Sequence, residues 1–253
     1  MKKNEYKLGL VSVSFRQHTP KEILEAVAGA GLSCIEWGSD VHAPYDNGER
    51  LAEIAALQAE YGIACSSYGT YFRLGETPLE TLEGYIQAAK ILGTDVLRLW
   101  CGRKSGSDME MQEREALLEV CRQAAAIAEA YGVYLCMECH KKTFTEDPED
   151  AVWLMESVGS PYFRMYWQPF QWQGAEENIE NAKKIAPYAK HIHVFHWKGE
   201  KKLPLADAVE EWRDYLQGFS TPRTLLLEFM PNGTVEELAR EADALKTIIG
   251  ATV

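Results

Sequence analysis

Residues 88–100 read AAKILGTDVLRLW. AAKIL continues a helical pattern, Gly93 interrupts it, and VLRLW follows as a short apolar run. Glycine takes the left-handed conformation that closes a helix at little steric cost. A run of β-branched, leucine and aromatic residues suits a strand buried on both faces. The same joint recurs in AVAGAGLSCIEW (26–37), LQAEYGIACSSYG (57–69) and IAEAYGVYLCME (127–138). A helix that returns to a strand within a few residues, again and again, describes parallel strands with helical crossovers.

Extending this reading predicts strands near 7–15, 33–38, 63–69, 95–101, 133–139, 163–168, 190–196 and 223–229. Helical patterns fall near 20–31, 47–61, 77–92, 109–131, 147–158, 175–186, 203–218 and 233–249, with start signals at Thr19 before Pro20, Asp147 before Pro148, and Thr234 with Glu237. At about 30 residues per unit, eight units in 253 residues point to one α/β domain over 1–253, a closed (β/α)8 TIM barrel. A doubly wound open sheet is the competitor, but no GxGxxG or GxxxxGK[ST] follows any strand to give it a phosphate site.

The 38 acidic residues outnumber the 26 lysines and arginines, for a net charge of −12. That balance disfavours nucleic acid and anionic membrane as partners and fits an enzyme of small neutral molecules. No stretch has the roughly 20 apolar residues of a membrane helix, and MKKNEYKLGLVSVSF lacks the apolar core of a signal peptide, so a cytoplasmic location is expected. A homo-oligomer is compatible with these numbers. The six cysteines sit in apolar segments and read as reduced core thiols, including Cys136 and Cys139, whose CxxC has no second pair to make a zinc site.

Catalysis in such a barrel sits at the C-terminal ends of the strands. Those positions hold Glu36, Trp37 and His42, then Tyr68 and Tyr71, Arg98 and Trp100, Glu138 and His140, Gln168 and Gln171, His193 and His196, and Glu228. Any one of them has an ordinary explanation as a solvated loop residue or a satisfied polar group. Glu138 in LCMECH and Glu228 in LLLEF are harder to dismiss, because each interrupts an apolar strand where an unpaired carboxylate costs several kcal/mol. Two such groups on one rim call for a cation. In HIHVFHW, His191 and His193 share a face by the period of two, and His193 is favoured over His196 as the third ligand. A Glu, His, Glu set leaves coordination positions open for Mn²⁺, Mg²⁺, Co²⁺ or Zn²⁺ together with substrate oxygens. It also suits proton transfer beside a carbonyl. Trp37, Tyr68, Trp100, Trp167 and Trp197 are candidates for stacking on sugar faces, with plain core packing equally natural for each.

IEWGSDVH (35–42), VLRLWCG (96–102), ECH (138–140), YWQP (166–169), HIHVFHW (191–197) and LLLEF (225–229) together resemble the xylose isomerase-like barrel superfamily, in particular its sugar phosphate isomerase/epimerase group and a WQP-containing subgroup. The likeness runs over essentially the whole chain. It implies a metal-dependent isomerase or epimerase of a sugar or keto-sugar acting through an enediolate, with Glu138 and Glu228 as ligands and acid/base pair and His193 as ligand. The family's ligand aspartate falls on Gln168, and the histidine often found three residues later falls on Gln171. Gln168 keeps a ligand oxygen and drops its charge, which predicts a weaker site and a stronger Lewis acid. Gln171, Glu36, Trp37, His42, Tyr68, Arg98, Trp100, His140 and His196 are the expected substrate contacts. Two alternatives are a lyase or dehydratase of a 3-keto-glycoside or inosose, and a non-catalytic carbohydrate-binding barrel with a degenerate site.

Overall fold

The computed structural model describes residues 6–250. Eight parallel strands close into a barrel: β1 Lys7–Val11, β2 Cys34–Gly38, β3 Ala64–Leu74, β4 Val96–Cys101, β5 Tyr134–Glu138, β6 Phe163–Trp167, β7 Ala189–Val194 and β10 Thr224–Leu227. Each strand pairs with its neighbour in sequence, and β1 pairs with β10, Lys7 opposite Thr224, to complete the ring. Around it run α1 Pro20–Gly29, α2 Gly48–Tyr61, α3 Leu82–Leu92, α4 Met111–Tyr131, α5 Pro148–Val158, α6 Ala175–Ile185, α7 Val209–Gln217 and α8 Leu238–Ile248. The (β/α)8 expectation therefore holds for the described residues.

The helix-to-strand joints behave as their chemistry requires, since Gly93 closes α3 at φ 84° and Gly132 closes α4 at φ 67°. Thr19 and Glu22 form a reciprocal capping box at α1, and the Asp147 side chain accepts from the Glu149 and Asp150 amides at α5. Thr234 makes no side-chain cap; a 3-10 turn, Val235–Glu237, precedes α8 instead.

Three further departures shape the mouth of the barrel. The first apolar run is strand only to Val11, then a 3-10 turn, Ser12–Phe15, where the Ser12 hydroxyl accepts from the Gly38 amide. β3 runs on to Leu74, because after a register shift Arg73 and Leu74 pair with Trp100 and Cys101, and Thr70 Oγ1 donates across the irregularity to the Arg98 carbonyl. After β7 a short antiparallel hairpin, β8 His196–Lys198 with β9 Lys201–Leu203, stands over the opening before α7.

The core has two layers. Outward-facing strand residues such as Trp37, Leu97, Trp167 and Leu227 pack under the helices, while Val11, Val96, Cys136, Tyr166 and Leu226 fill the barrel. All six cysteines are buried and unpaired, as expected. No helix among the described residues is long and apolar enough to cross a membrane.

One buried acid ties the hairpin region to the helix ring. Glu241 on α8 accepts the Leu205 amide at 3.1 Å, and burial pushes its carboxyl up from 4.5 to about 7. A carboxyl raised by folding supports the fold fully below the unfolded value, and that support is lost as pH rises through the folded value. Glu241→Gln is therefore expected to gain about 1–3 kcal/mol over the parent at pH 8 and little at pH 4.5. Urea midpoints of the two proteins at both pH values check this.

Candidate metal centre

Period-two alternation turns Glu36, Arg98, Glu138 and His193 inward, and the strand ends add Gln168 and Glu228. Glu138, His193 and Glu228 offer ligand atoms that all lie within 4.8 Å of one another. His193 Nδ1 is the focus: it sits 3.7 Å from Glu138 Oε1, 3.6 Å from Glu228 Oε2 and 3.0 Å from Gln168 Oε1. Two carboxylates, one imidazole nitrogen and one amide oxygen thus face a common point, a donor set suited to a hard or borderline divalent ion. The Gln168 side chain turns its amide oxygen to His193 Nδ1.

These donors are held from behind. Glu138 Oε2 accepts from Arg98 Nη1 at 2.5 Å and from Trp100 Nε1 at 2.7 Å, which leaves Oε1 to face His193. Arg98 Nε donates to Glu36 Oε1 at 2.8 Å, and Glu36 Oε2 accepts from Ser67 and the Tyr166 hydroxyl. His193 Nε2 has no hydrogen-bond partner among the described residues and lies 3.6 Å from Glu36 Oε1. Gly69 on β3 lets this ladder close, because a Cβ there would stand 2.8 Å from Glu36 Oε1 and 2.9 Å from Arg98 Nη2. Charge-assisted bonds of this kind fix ligand orientation in metal sites.

These contacts drive the acids apart. Burial alone would raise Glu138 and Glu36, but Arg98 and His193 overcome it and hold both well below the usual carboxylate range. Glu228 has no such clamp, and burial, with Glu138 adding repulsion, pushes it up to about 7. Burial would lower His193, but Glu228, Glu138 and Glu36 raise it to about 10, so an ion binding at Nδ1 must displace a proton.

Above the centre opens a cavity of about 310 Å³. Of the expected site residues, Arg98, Trp100, Glu138, His140, Gln168, Gln171 and Glu228 line it, and His193 is buried beneath. Glu36 is fully buried under Arg98 and makes no wall of the cavity, which corrects its reading as a substrate contact. Trp37 and Tyr68 are corrected too: they face the helices, where Trp37 Nε1 donates to Gln58 Oε1 and the Tyr68 hydroxyl to the Ala43 carbonyl. The alternation that points Glu36 and Ser67 inward points their neighbours outward. His42 lies behind the first loop against Ser12 and the His18 carbonyl, and His196 pins the hairpin through the Pro204 carbonyl; neither lines the cavity. Trp167 packs on Trp212, Tyr215 and Phe219, whereas Trp197 does line the opening.

The loops bring in residues that strand-end reading did not single out. Arg16 lines the cavity and donates to Asp40 and the Tyr71 hydroxyl; Lys141, Phe170, Phe195 and Phe229 also contribute. Phe229 follows Glu228 with φ 56°, a left-handed conformation rare for an aromatic residue, and its amide donates to Ser14 Oγ. The bend turns the strand end at Glu228, and nothing in LLLEF signals it.

A profile for the xylose isomerase-like TIM barrel family matches residues 24–246. A 3-dehydroshikimate dehydratase from Bacillus anthracis is 21% identical over 119 residues, 47% of this chain and 42% of that protein. The match thus spans less than half the length of that relative. The crystal structure of the probable 3-DHS dehydratase from Bacillus anthracis superposes with a TM-score of 0.78 at 16% identity, over 95% of this chain and 98% of that one. D-psicose 3-epimerase with D-tagatose, from Clostridium cellulolyticum H10, gives 0.69 at 16% identity over 97% and 99%. A xylose isomerase-like TIM barrel protein from Mycobacterium smegmatis in complex with magnesium gives 0.71 at 15% over 98% of each chain. At these identities the structural likeness speaks for the fold alone.

Proposed function

The chain belongs to the xylose isomerase-like TIM barrel family, and from that premise we propose that it is a metal-dependent isomerase or epimerase of a sugar or keto-sugar. The observation that carries this reading is the convergence of Glu138 Oε1, Glu228 Oε2 and Gln168 Oε1 on His193 Nδ1 at the floor of an aromatic-walled cavity. Glu138, Gln168, His193 and Glu228 would hold the ion, with Mn²⁺ or Mg²⁺ the best match to three oxygens and one nitrogen and Co²⁺ or Zn²⁺ also accommodated. When bound, a divalent ion supplies positive charge beside the substrate's carbonyl and neighbouring hydroxyl oxygens.

The side chains do the proton work. Glu138, kept ionised by Arg98 and Trp100, takes the proton from the carbon next to the carbonyl, and the C–H electron pair moves to form the enediolate. Glu228, the second buried carboxyl facing His193 Nδ1, returns a proton from its own side of the cavity. Return to the same carbon on the opposite face gives an epimer, and return to the adjacent carbon, with the hydroxyl proton passing from one enediolate oxygen to the other, gives an aldose–ketose isomer. His140, Gln171 and Trp100 border the space above and position the ring.

A dehydratase shares the first step, and the likeness to a 3-dehydroshikimate dehydratase favours it as the second reading. There the enolate expels a hydroxyl from the β-carbon, which leaves as water after protonation. Incubating the Mn²⁺-loaded protein in D₂O with D-fructose, D-tagatose and a 3-keto-D-glucoside tests both. Deuterium at the carbon beside the carbonyl in a recovered isomer supports the isomerase, an unsaturated product supports the dehydratase, and no exchange with any of them rules out proton abstraction on keto-sugars.

A further inference from the structure

We propose that the cavity over Glu138 and Glu228 continues past Trp172 into a second carbohydrate subsite, so that the ligand is a glycoside of at least two rings. The inference rests on the sugar reading above and extends it to substrate size. A second cavity of about 530 Å³ adjoins the first and shares Lys141, Phe170 and Trp172 with it. The inner cavity, about 310 Å³, is at the low end of the range for small-molecule sites and holds one ring. Trp172 lines both.

That indole is 58% exposed, the highest value for an aromatic side chain among the large exposed apolar residues described. A tryptophan this exposed at a cavity wall invites a flat apolar partner, and the C–H face of a pyranose is one. Around it stand groups that bond hydroxyls. The Lys141 ammonium lies over the Trp172 ring, 4.5 Å from its centroid, and Glu146, which accepts from Ser105 Oγ at 2.5 Å, lines the outer cavity. An aromatic platform with one ammonium over its ring, and two hydroxyls (Ser105, Ser107) and two carboxylates (Glu146, Asp147) around the outer cavity, fits a polyhydroxylated ring better than a polyanion.

The test is calorimetric titration of the Mn²⁺-loaded protein with cellobiose, maltose and lactose, against glucose and galactose. At least one disaccharide is expected to bind ten-fold or more tightly than its component monosaccharides. Trp172→Ala should abolish that advantage, and an unchanged Mn²⁺ affinity would show the variant folded around an intact centre. The proposal is overturned if no disaccharide gains ten-fold over its parts, or if the gain survives in Trp172→Ala. Deuterium exchange into free ketohexoses separates the two claims: exchange without a disaccharide advantage removes the subsite alone, and a disaccharide advantage without exchange removes the reaction alone.

Discussion

Arg98→Met is expected to be the most damaging single substitution outside the ligands. Arg98 is 3% exposed and bridges Glu36 and Glu138, each of which is buried. Methionine fills much of the volume but leaves two carboxylates in the barrel with one fewer cation. Breaking a buried pair from one side costs about 3–5 kcal/mol. For a chain of this size that lowers the melting temperature by about 10 °C. The loss should be largest in chelator and partly reversed by Mn²⁺, because a divalent ion replaces the missing charge near Glu138. Proton exchange should not return fully with it, since Glu138 Oε2 then keeps only the Trp100 indole to orient it. Thermal melts of variant and parent, with chelator and with Mn²⁺, measure both effects; equal melting temperatures in chelator would show that the ladder does not carry the charge balance.

Glu228→Gln should show the opposite pattern. In the metal-free protein Glu228 is a carboxyl that burial raises to about 7, so a neutral isostere relieves its penalty at pH 8. Stability in chelator is expected to stay level or rise slightly. Metal affinity should weaken, because one of two ligand charges is gone. Exchange of substrate protons with solvent should fall by about 10²- to 10⁴-fold, the usual contribution of a positioned acid or base. The three readouts together separate a functional acid from a structural one: a structural role would lower the melting temperature and leave exchange in proportion to folded protein. Full exchange activity in a folded Glu228→Gln protein would remove Glu228 from the chemistry.

The barrel was legible because its signals are local and repeated. Gly93 and Gly132 ended helices where the pattern said, and the apolar runs that followed became strands. The inward-facing carboxylates were legible for a different reason: Glu138 and Glu228 are conspicuous in apolar strands, and ionised groups there need a partner. The sequence reading erred where side-chain direction matters and was ignored. Trp37 and Tyr68 sit beside inward-facing Glu36 and Ser67, so alternation sends them to the helix layer. The ladder beneath the centre, Tyr166 to Glu36 to Arg98 to Glu138, joins β6, β2, β4 and β5, and no local pattern reports a contact between positions 130 residues apart. Arg16 and the β8–β9 hairpin were missed because loop paths depend on tertiary packing rather than on periodicity.

Gln168 gives the centre its own character. Its Oε1 lies within hydrogen-bond distance of His193 Nδ1, at 3.0 Å, and the proposed centre would take this neutral amide as a ligand in the place where the family resemblance implies an aspartate. With two carboxylate ligands, a divalent ion is neutralised and not over-neutralised, which favours a looser ion that polarises substrate oxygens more strongly. The most direct measurement is an anomalous difference map from a crystal soaked in Mn²⁺. One peak about 2.0–2.6 Å from Glu138, Gln168 Oε1, His193 Nδ1 and Glu228 is the expected result. A map with no peak among these four side chains at saturating Mn²⁺, or with the ion bound elsewhere in the chain, would contradict the metal centre and the chemistry assigned to it.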